Sequence, residues 1–364
     1  MESVAVTAFG DVYRGRRVLV TGHTGFKGSW LCLWLNHLGA QVTGLALDPS
    51  SEPNHWSLLN LPISDNRIDI RDAPAVAAII QESEPDIVFH LAAQPLVRRS
   101  YREPAATWAT NVTGTAHILD AVRQTPATRA VVVVTSDKCY LNREWPWPYR
   151  EYDRLGGHDP YSASKAGAEM VAASYRDSFF HEPGSALIAT ARAGNVIGGG
   201  DWSEDRLIPD LVRALAEGTS LVIRSPRATR PWQHVLDCLS GYLLLGRHLL
   251  DSDESYAEAW NFGPDDEGNR TVEATLQSLA TIWPQVQWAP STEVGPHEAG
   301  LLQLDIAKAR SRLQWRPVWG FEDALAATAR WYQRWMESGE VTSPADLSRY
   351  QADAAAAGRV WAQD

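Results

Sequence analysis

Short apolar runs recur through the first half of the chain at 17–21 (RVLVT), 41–47 (QVTGLAL), 86–92 (DIVFHLA), 130–136 (AVVVVTS) and 186–193 (ALIATARA), with a helical stretch between each and the next. Runs that are apolar throughout belong to strands covered on both faces, and their alternation with helices makes the sheet parallel. The expected fold is therefore α/β, a doubly wound parallel sheet. Helix punctuation agrees: Asp72 is placed to cap 73–83, Pro104 to open 104–122, and Gly39 to stop 29–38. From about residue 195 the rhythm breaks into GNVIGGGDW, IRSPRATRPWQH and NFGPDDEGN. A chain of 364 residues is long enough for two domains. The expected division is 1–194 plus 232–263 for the sheet, 195–231 plus 264–340 for a smaller interleaved unit, and 341–364 as a C-terminal tail.

A formal net charge of −11 argues against nucleic acid or an anionic membrane as partner, because both want clustered positive charge. Any anionic ligand then needs a local device. No apolar run approaches the roughly 20 residues of a membrane span. The opening MESVAVTAFGDVYRGRR has neither a basic start nor a continuous apolar stretch, so a cytoplasmic protein is expected. Cys32, Cys139 and Cys238 are odd in number and far apart, which suggests reduced structural thiols and no metal site.

The first run leads into TGHTGFKGSW, where Gly22, Gly25 and Gly28 follow a strand and open a helix. Glycine there permits a tight turn and lets backbone N–H groups reach a pyrophosphate. Asp48 ends the second run, 20 residues beyond Gly28. From that position a carboxylate accepts hydrogen bonds from an adenosine ribose and repels a 2′-phosphate, which favours NAD over NADP. The competing reading is an ordinary turn carboxylate before Pro49, and Lys27 inside the loop would tolerate the extra phosphate. In DPYSASKAGAE, Tyr161 and Lys165 share one helix face. An ammonium near a phenol favours phenolate, making Tyr161 a base for alcohol oxidation. Ser136 ends the fourth run and is placed to hold the same substrate oxygen. Arg224, Arg227 and Arg230 in IRSPRATRPWQH are the local device for a diphosphate.

Together TGHTGFKG, HLAAQPLVRRSY, TSDKCY, YSASKAGAE, RAGNVIGGGDW and RPWQHVL resemble the extended short-chain dehydrogenase/reductase family of nucleotide-sugar enzymes, from about Arg16 to Trp335. TSDKCY and RAGNVIGGGDW are specific to a dehydratase branch; the glycine turn and YxxxK mark only the superfamily. The resemblance implies a Rossmann-type NAD-binding domain with a smaller nucleotide-sugar-binding domain. It also implies a homodimer or higher homo-oligomer, paired through helices near 104–124 and 161–181 that carry Ile118, Met170 and Val171. The implied reaction converts a CDP-hexose, CDP-D-glucose first among them, to CDP-4-dehydro-6-deoxy-D-glucose and water, a step that feeds deoxysugar and O-antigen synthesis.

In that frame Tyr161 takes the proton from the carbon 4 hydroxyl as NAD oxidises the carbon, and Asp137 is the acid for the departing carbon 6 hydroxyl. Lys138 stands where related dehydratases carry a glutamate base; it takes the carbon 5 proton or, staying charged, stabilises the enolate. The resemblance extends the NAD set beyond Gly22, Gly25, Gly28, Asp48, Tyr161 and Lys165 to Thr24, Phe26, Asp69, Ile70, Leu91, Ala92, Ala93 and Asn111. It assigns Gln94, Asn195, Arg206, Arg224, Arg230 and His297 to the substrate. Gly300 and Pro148 depart from the pattern, where histidine and glycine are usual. Most of the sixteen tryptophans are expected in packing, with Trp145, Trp147 and Trp202 placed to stack a base or sugar.

Two other readings share much of this machinery. A nucleotide-sugar 4-epimerase needs Ser136, Tyr161, Lys165 and NAD but no acid at carbon 6, so Asp137 and Lys138 count against it. A non-catalytic dinucleotide-binding regulator commonly gives up the tyrosine or the lysine, and both are present.

Overall fold

The computed structural model describes residues 8–291 and 300–363. Its strands in chain order are β1 (Arg17–Thr21), β2 (Gln41–Ala46), β3 (Ser64–Arg67), β4 (Ile87–His90), β5 (Ala130–Val134), β6 (Leu187–Ala193), β7 (Asn195–Ile197), β8 (Leu221–Ile223), β9 (Thr229–His234), β10 (Ala259–Phe262), β11 (Asn269–Thr271) and β12 (Trp288–Pro290). Seven of them form one sheet in the order β10-β6-β5-β4-β1-β2-β3, with every pairing parallel. Five are the apolar runs of the sequence. The two edge strands escape that pattern: β3 (SDNR) is polar and largely exposed, and β10 (AWNF) is only four residues long.

Side chains of the sheet alternate between two cores. Val18, Val20, Phe89 and Val132 enter one, with residues of the helices Phe26–His37 and Val235–Leu250. Leu19, Val88, Val131 and Val133 enter the other, with residues of the helices Ala73–Ser83 and Gly114–Arg123. Double coverage explains why β5 is apolar at every position. The chain leaves β1 for β2 on one side and returns through β4 on the other, and this reversal opens a crevice at the strands' C-terminal ends. Local punctuation is as expected: Asp72 Oδ1 accepts from Ala75 N at 3.1 Å, and Gly39 follows the first long helix at φ +77°. The helix opened by Pro104 ends at Trp108 and continues through a widened turn, Ala109–Thr113, into Gly114–Arg123.

Beyond β6 lie the small sheets β11-β9-β7 and β12-β8. The parallel pairing of β7 with β9 puts Asn195 opposite Trp232, which brings Asn195 beside the strand that carries Arg230.

Residues 341–363 form a docked helical segment. The helix Ser343–Ala356 buries Leu347, Tyr350 and Ala354, and Trp361 stacks on Phe9 with centroids 5.0 Å apart. The apolar face of this helix meets the core of the sheet domain, a partnership that alanine-rich sequence alone does not reveal. Ile118 is likewise fully buried inside the chain, so it is not available to a second copy. Six tryptophans are completely buried, in line with packing, and Trp202 joins them against Trp331 at 5.6 Å. Trp108, Trp145 and Trp147 are exposed instead, at 42%, 38% and 67%. Among the described residues no helix is long and apolar enough to cross a membrane.

The docked C-terminal helix has a pH signature. Tyr350 donates its hydroxyl to Asp237 Oδ1 at 2.7 Å, and Val318 N donates to the same oxygen at 2.6 Å. Burial nevertheless pushes the Asp237 carboxyl up to about 7. Because the folded state holds a proton that the unfolded carboxyl releases near pH 4, stability is lost as pH rises from about 4 to about 7. Relative to Asp237→Asn, the native protein should lose stability across that window in denaturant titrations; a constant difference would contradict the assignment.

Candidate active site

The catalytic helix Pro160–Phe179 starts at DPYS because Asp159 accepts from Ser162 N at 2.9 Å and Pro160 fills the first turn. This cap fixes Tyr161 and, one turn on, Lys165, at the end of β5. There the chain enters a short turn, Asp137–Cys139, capped by Ser136. Ser136 Oγ accepts from Lys138 N at 3.2 Å and donates to Asp137 Oδ1 at 2.9 Å. Asp137 is 2% exposed, and its Oδ2 has no hydrogen-bond partner. Burial raises its pKa above the usual carboxylate range, against the Lys138 charge and the Ser136 hydrogen bond. A carboxyl held toward its protonated form can donate a proton.

Tyr161 behaves differently from the expectation drawn from its spacing to Lys165. Burial pushes the phenol up to about 12, and the group that relieves it by hydrogen bonding is Ser136. Lys165 is buried and donates to Val134 O at 3.2 Å; burial, helped by the nearby Lys27 charge, lowers it to about 8. Lys27 belongs to the same neighbourhood. Its ammonium lies 5.9 Å from the centroid of the Tyr242 ring and lines the same cleft as Asp137 and Tyr161, so it adds a cation to the catalytic floor.

That cleft has a volume of about 280 Å³ and is lined by Ser136, Asp137, Lys138, Tyr161, Asn195, Arg206, Arg224 and Arg230. The sequence missed Arg98, which lines it too and shares Asp205 Oδ1 with Arg224 at 3.2 and 3.1 Å. Arg206 pairs with Asp201 at 3.4 Å. Arg230 is buried, with Nη1 donating to Thr229 O at 3.0 Å. A protein of net charge −11 thus gathers four arginines around one opening, which suits a diphosphate. Gln94 stands apart from this set. Its side chain is spent on Leu96 and Thr107, so it braces the loop after β4. His297 lies outside the described residues.

A buried ion pair, also missed, holds the catalytic turn at both ends. Arg192 meets Glu169 through two hydrogen bonds, at 2.9 and 2.8 Å. Glu169 accepts from Thr135, and Arg192 donates to Tyr140 Oη at 2.8 Å. Burial alone would raise the Glu169 carboxyl, but Arg192 and the threonine hydroxyls outweigh it and hold it below the ordinary range. The signal was a lone glutamate two turns past Tyr161, which a helical pattern cannot distinguish from a surface residue.

The cofactor side is shaped by its backbone. A Cβ at Gly28 would sit 2.1 Å from Gly22 O, and Gly22 has φ +74° with Ala92 N 2.7 Å from its virtual Cβ. Only glycine permits this turn, and the helix it opens has Gly25 as an N-cap with no capping side chain, leaving N–H groups open to a phosphate. Thr24 donates to Leu47 O at 2.9 Å, and Phe26 packs against the core. Leu91 N and Ala92 N bond Thr21 at 3.1 Å, holding the segment through Ala93 against the glycine turn. Asn111 bonds the Gln94 backbone and donates to Ser164 at 2.8 Å, joining this segment to the catalytic helix. Asp48 is 86% exposed at its side chain; Asp69 is ion-paired to Arg71, and Ile70 is buried against Gly114. These residues fit a dinucleotide along the crevice.

An NAD-type crevice joined to a buried Ser-Asp-Lys turn and a YxxxK helix defines a nucleotide-sugar enzyme of the extended short-chain dehydrogenase/reductase class. The family model described as GDP-mannose 4,6 dehydratase matches residues 19–328, and the chain belongs to that family. It is 46% identical to the CDP-glucose 4,6-dehydratase of Salmonella typhimurium, over 93% of this chain and 97% of that protein. Among solved structures, an epimerase from Methanothermobacter thermautotrophicus superimposes with a TM-score of 0.79 at 25% identity, covering 93% of this chain and 98% of its own. The dTDP-glucose 4,6-dehydratase of Bacillus anthracis in complex with NAD gives 0.71 at 22%, covering 88% and 97%, and shares the fold.

Proposed function

We propose that this protein is an NAD-dependent hydro-lyase that converts CDP-D-glucose to CDP-4-dehydro-6-deoxy-D-glucose and water. The observation that carries this reading is Asp137: buried, raised in pKa, with one oxygen unpartnered in the cleft that Tyr161 and Lys138 also line. A 4-epimerase has no use for an acid there. NAD, when bound, supplies the acceptor for the hydrogen and electron pair of carbon 4, which return at carbon 6, and brings a positive charge into the pocket.

The chain's own groups do the rest. Ser136 and Tyr161 hold the carbon 4 oxygen, and Tyr161 takes its proton. Lys138 acts on carbon 5 once the neighbouring ketone has acidified it, and a proton returns to carbon 5 as the hydrogen and electron pair return to carbon 6. Asp137 protonates the hydroxyl that leaves carbon 6. Arg98, Arg206, Arg224 and Arg230 hold the diphosphate, with Asn195 beside them. The twofold chain division expected from sequence fits these roles: the large sheet for the dinucleotide, and the β7–β9 and β8–β12 region for the sugar nucleotide. Incubation with CDP-, dTDP-, GDP- and UDP-glucose followed by mass analysis tests the reading. CDP-glucose should lose water fastest; a product of unchanged mass would point to epimerisation.

The reading carries a homodimer with it. Trp108 and Met170, 42% and 64% exposed, lie on helices that pack against each other and offer apolar side chains for a twofold contact to which Ile118 cannot contribute. Light scattering at micromolar concentration should give twice the 40.2 kDa chain mass; a monomer alone would count against it. A cytoplasmic place in deoxysugar and O-antigen synthesis accords with the same substrate.

A further inference from the structure

The adenosine end of the crevice holds more than Asp48. Strand β3 runs parallel to β2 with Arg67 opposite Ala46, so Arg67 emerges beside the carboxylate that closes β2. Its guanidinium is anchored on two sides: Nη2 meets Asp65 at 2.8 Å, and Nη1 donates to Leu47 O at 3.2 Å. Asp65 is itself held by His23 Nε2 at 2.8 Å from inside the protein. Leu47 O also accepts from Thr24 of the glycine turn. The third edge, Nε, faces Asp48 Oδ1 at 3.6 Å.

We infer that Arg67 is a second determinant of cofactor choice, an anchored cation whose outward edge Asp48 neutralises, so that the pair and not the aspartate alone excludes a 2′-phosphate. This rests on the NAD reading above. An arginine near the ribose is what accommodates a 2′-phosphate, and one already fixed by Asp65 and Leu47 gives up little freedom on gaining a ligand. Asp48 keeps it from doing so in two ways, by pairing with Nε and by repelling the phosphate itself.

Removing Asp48 should therefore do more than weaken NAD; it should create affinity for NADP. In calorimetric titrations of nucleotide-free, full-length protein, Asp48→Asn should bind NADP roughly ten- to a hundredfold more tightly than the native chain, the scale of one charge-assisted hydrogen bond. Adding Arg67→Met should abolish that gain, and Arg67→Lys should keep part of it. All these side chains are at least a third exposed or bordering on it, so thermal unfolding should move little. If the double variant Asp48→Asn/Arg67→Met binds NADP as tightly as Asp48→Asn alone, Arg67 has no such role. If the native chain binds neither nucleotide, the NAD reading fails and the inference with it.

Discussion

Tyr161→Phe should lower turnover roughly a hundred- to ten-thousandfold, the scale of a lost general base, while nucleotide-sugar affinity and the unfolding transition stay close to native. The substitution removes one oxygen from a ring that is 7% exposed and otherwise packed. Burial already pushes this phenol up to about 12, so the residue works only when the loaded site favours its ionised form. Single-turnover kinetics should accordingly show the defect in carbon 4 oxidation, before any water leaves. Near-native turnover by the variant would end the assignment of Tyr161 as the base.

Lys138→Met should separate the two halves of the reaction. The native side chain lines the cleft next to Asp137, and its task begins only after carbon 4 is oxidised. The variant should bind substrate and accumulate the absorbance of the reduced cofactor, yet exchange carbon 5 hydrogen with deuterated solvent slowly and barely release water. Lys138→Glu then distinguishes the roles: a carboxylate supplies a base without positive charge. Partial recovery of exchange indicates proton abstraction, and no recovery indicates electrostatic stabilisation of the enolate. Wild-type dehydration by Lys138→Met would contradict both.

What the sequence disclosed depended on how far each residue's role is set by its immediate neighbours. The five apolar runs, the glycine turn and the capped YxxxK helix are local patterns, and all appear where they were expected. β3 was invisible because an edge strand with polar, exposed residues carries no burial signal. The place of Lys27 in the loop is legible but the direction of its four-carbon stem is not; it reaches Tyr242, 215 positions further on. The same limit hid the Glu169–Arg192 pair, which joins a helix to a strand across the core. The docking of Tyr350 on Asp237 spans 113 positions, and no tail composition predicts it. Ile118 and Met170 look alike in a helical pattern, yet one is buried and the other exposed, because only the packing of neighbouring helices decides which face is covered.

The central claim is that one site oxidises carbon 4, expels water across carbons 5 and 6, and returns the same hydrogen. It is tested most directly with CDP-glucose deuterated at carbon 4. Mass and NMR analysis of the product should show the loss of one water with the deuterium retained on carbon 6. A product that keeps the mass of the substrate, or one that has lost water but carries no deuterium at carbon 6, would contradict the account.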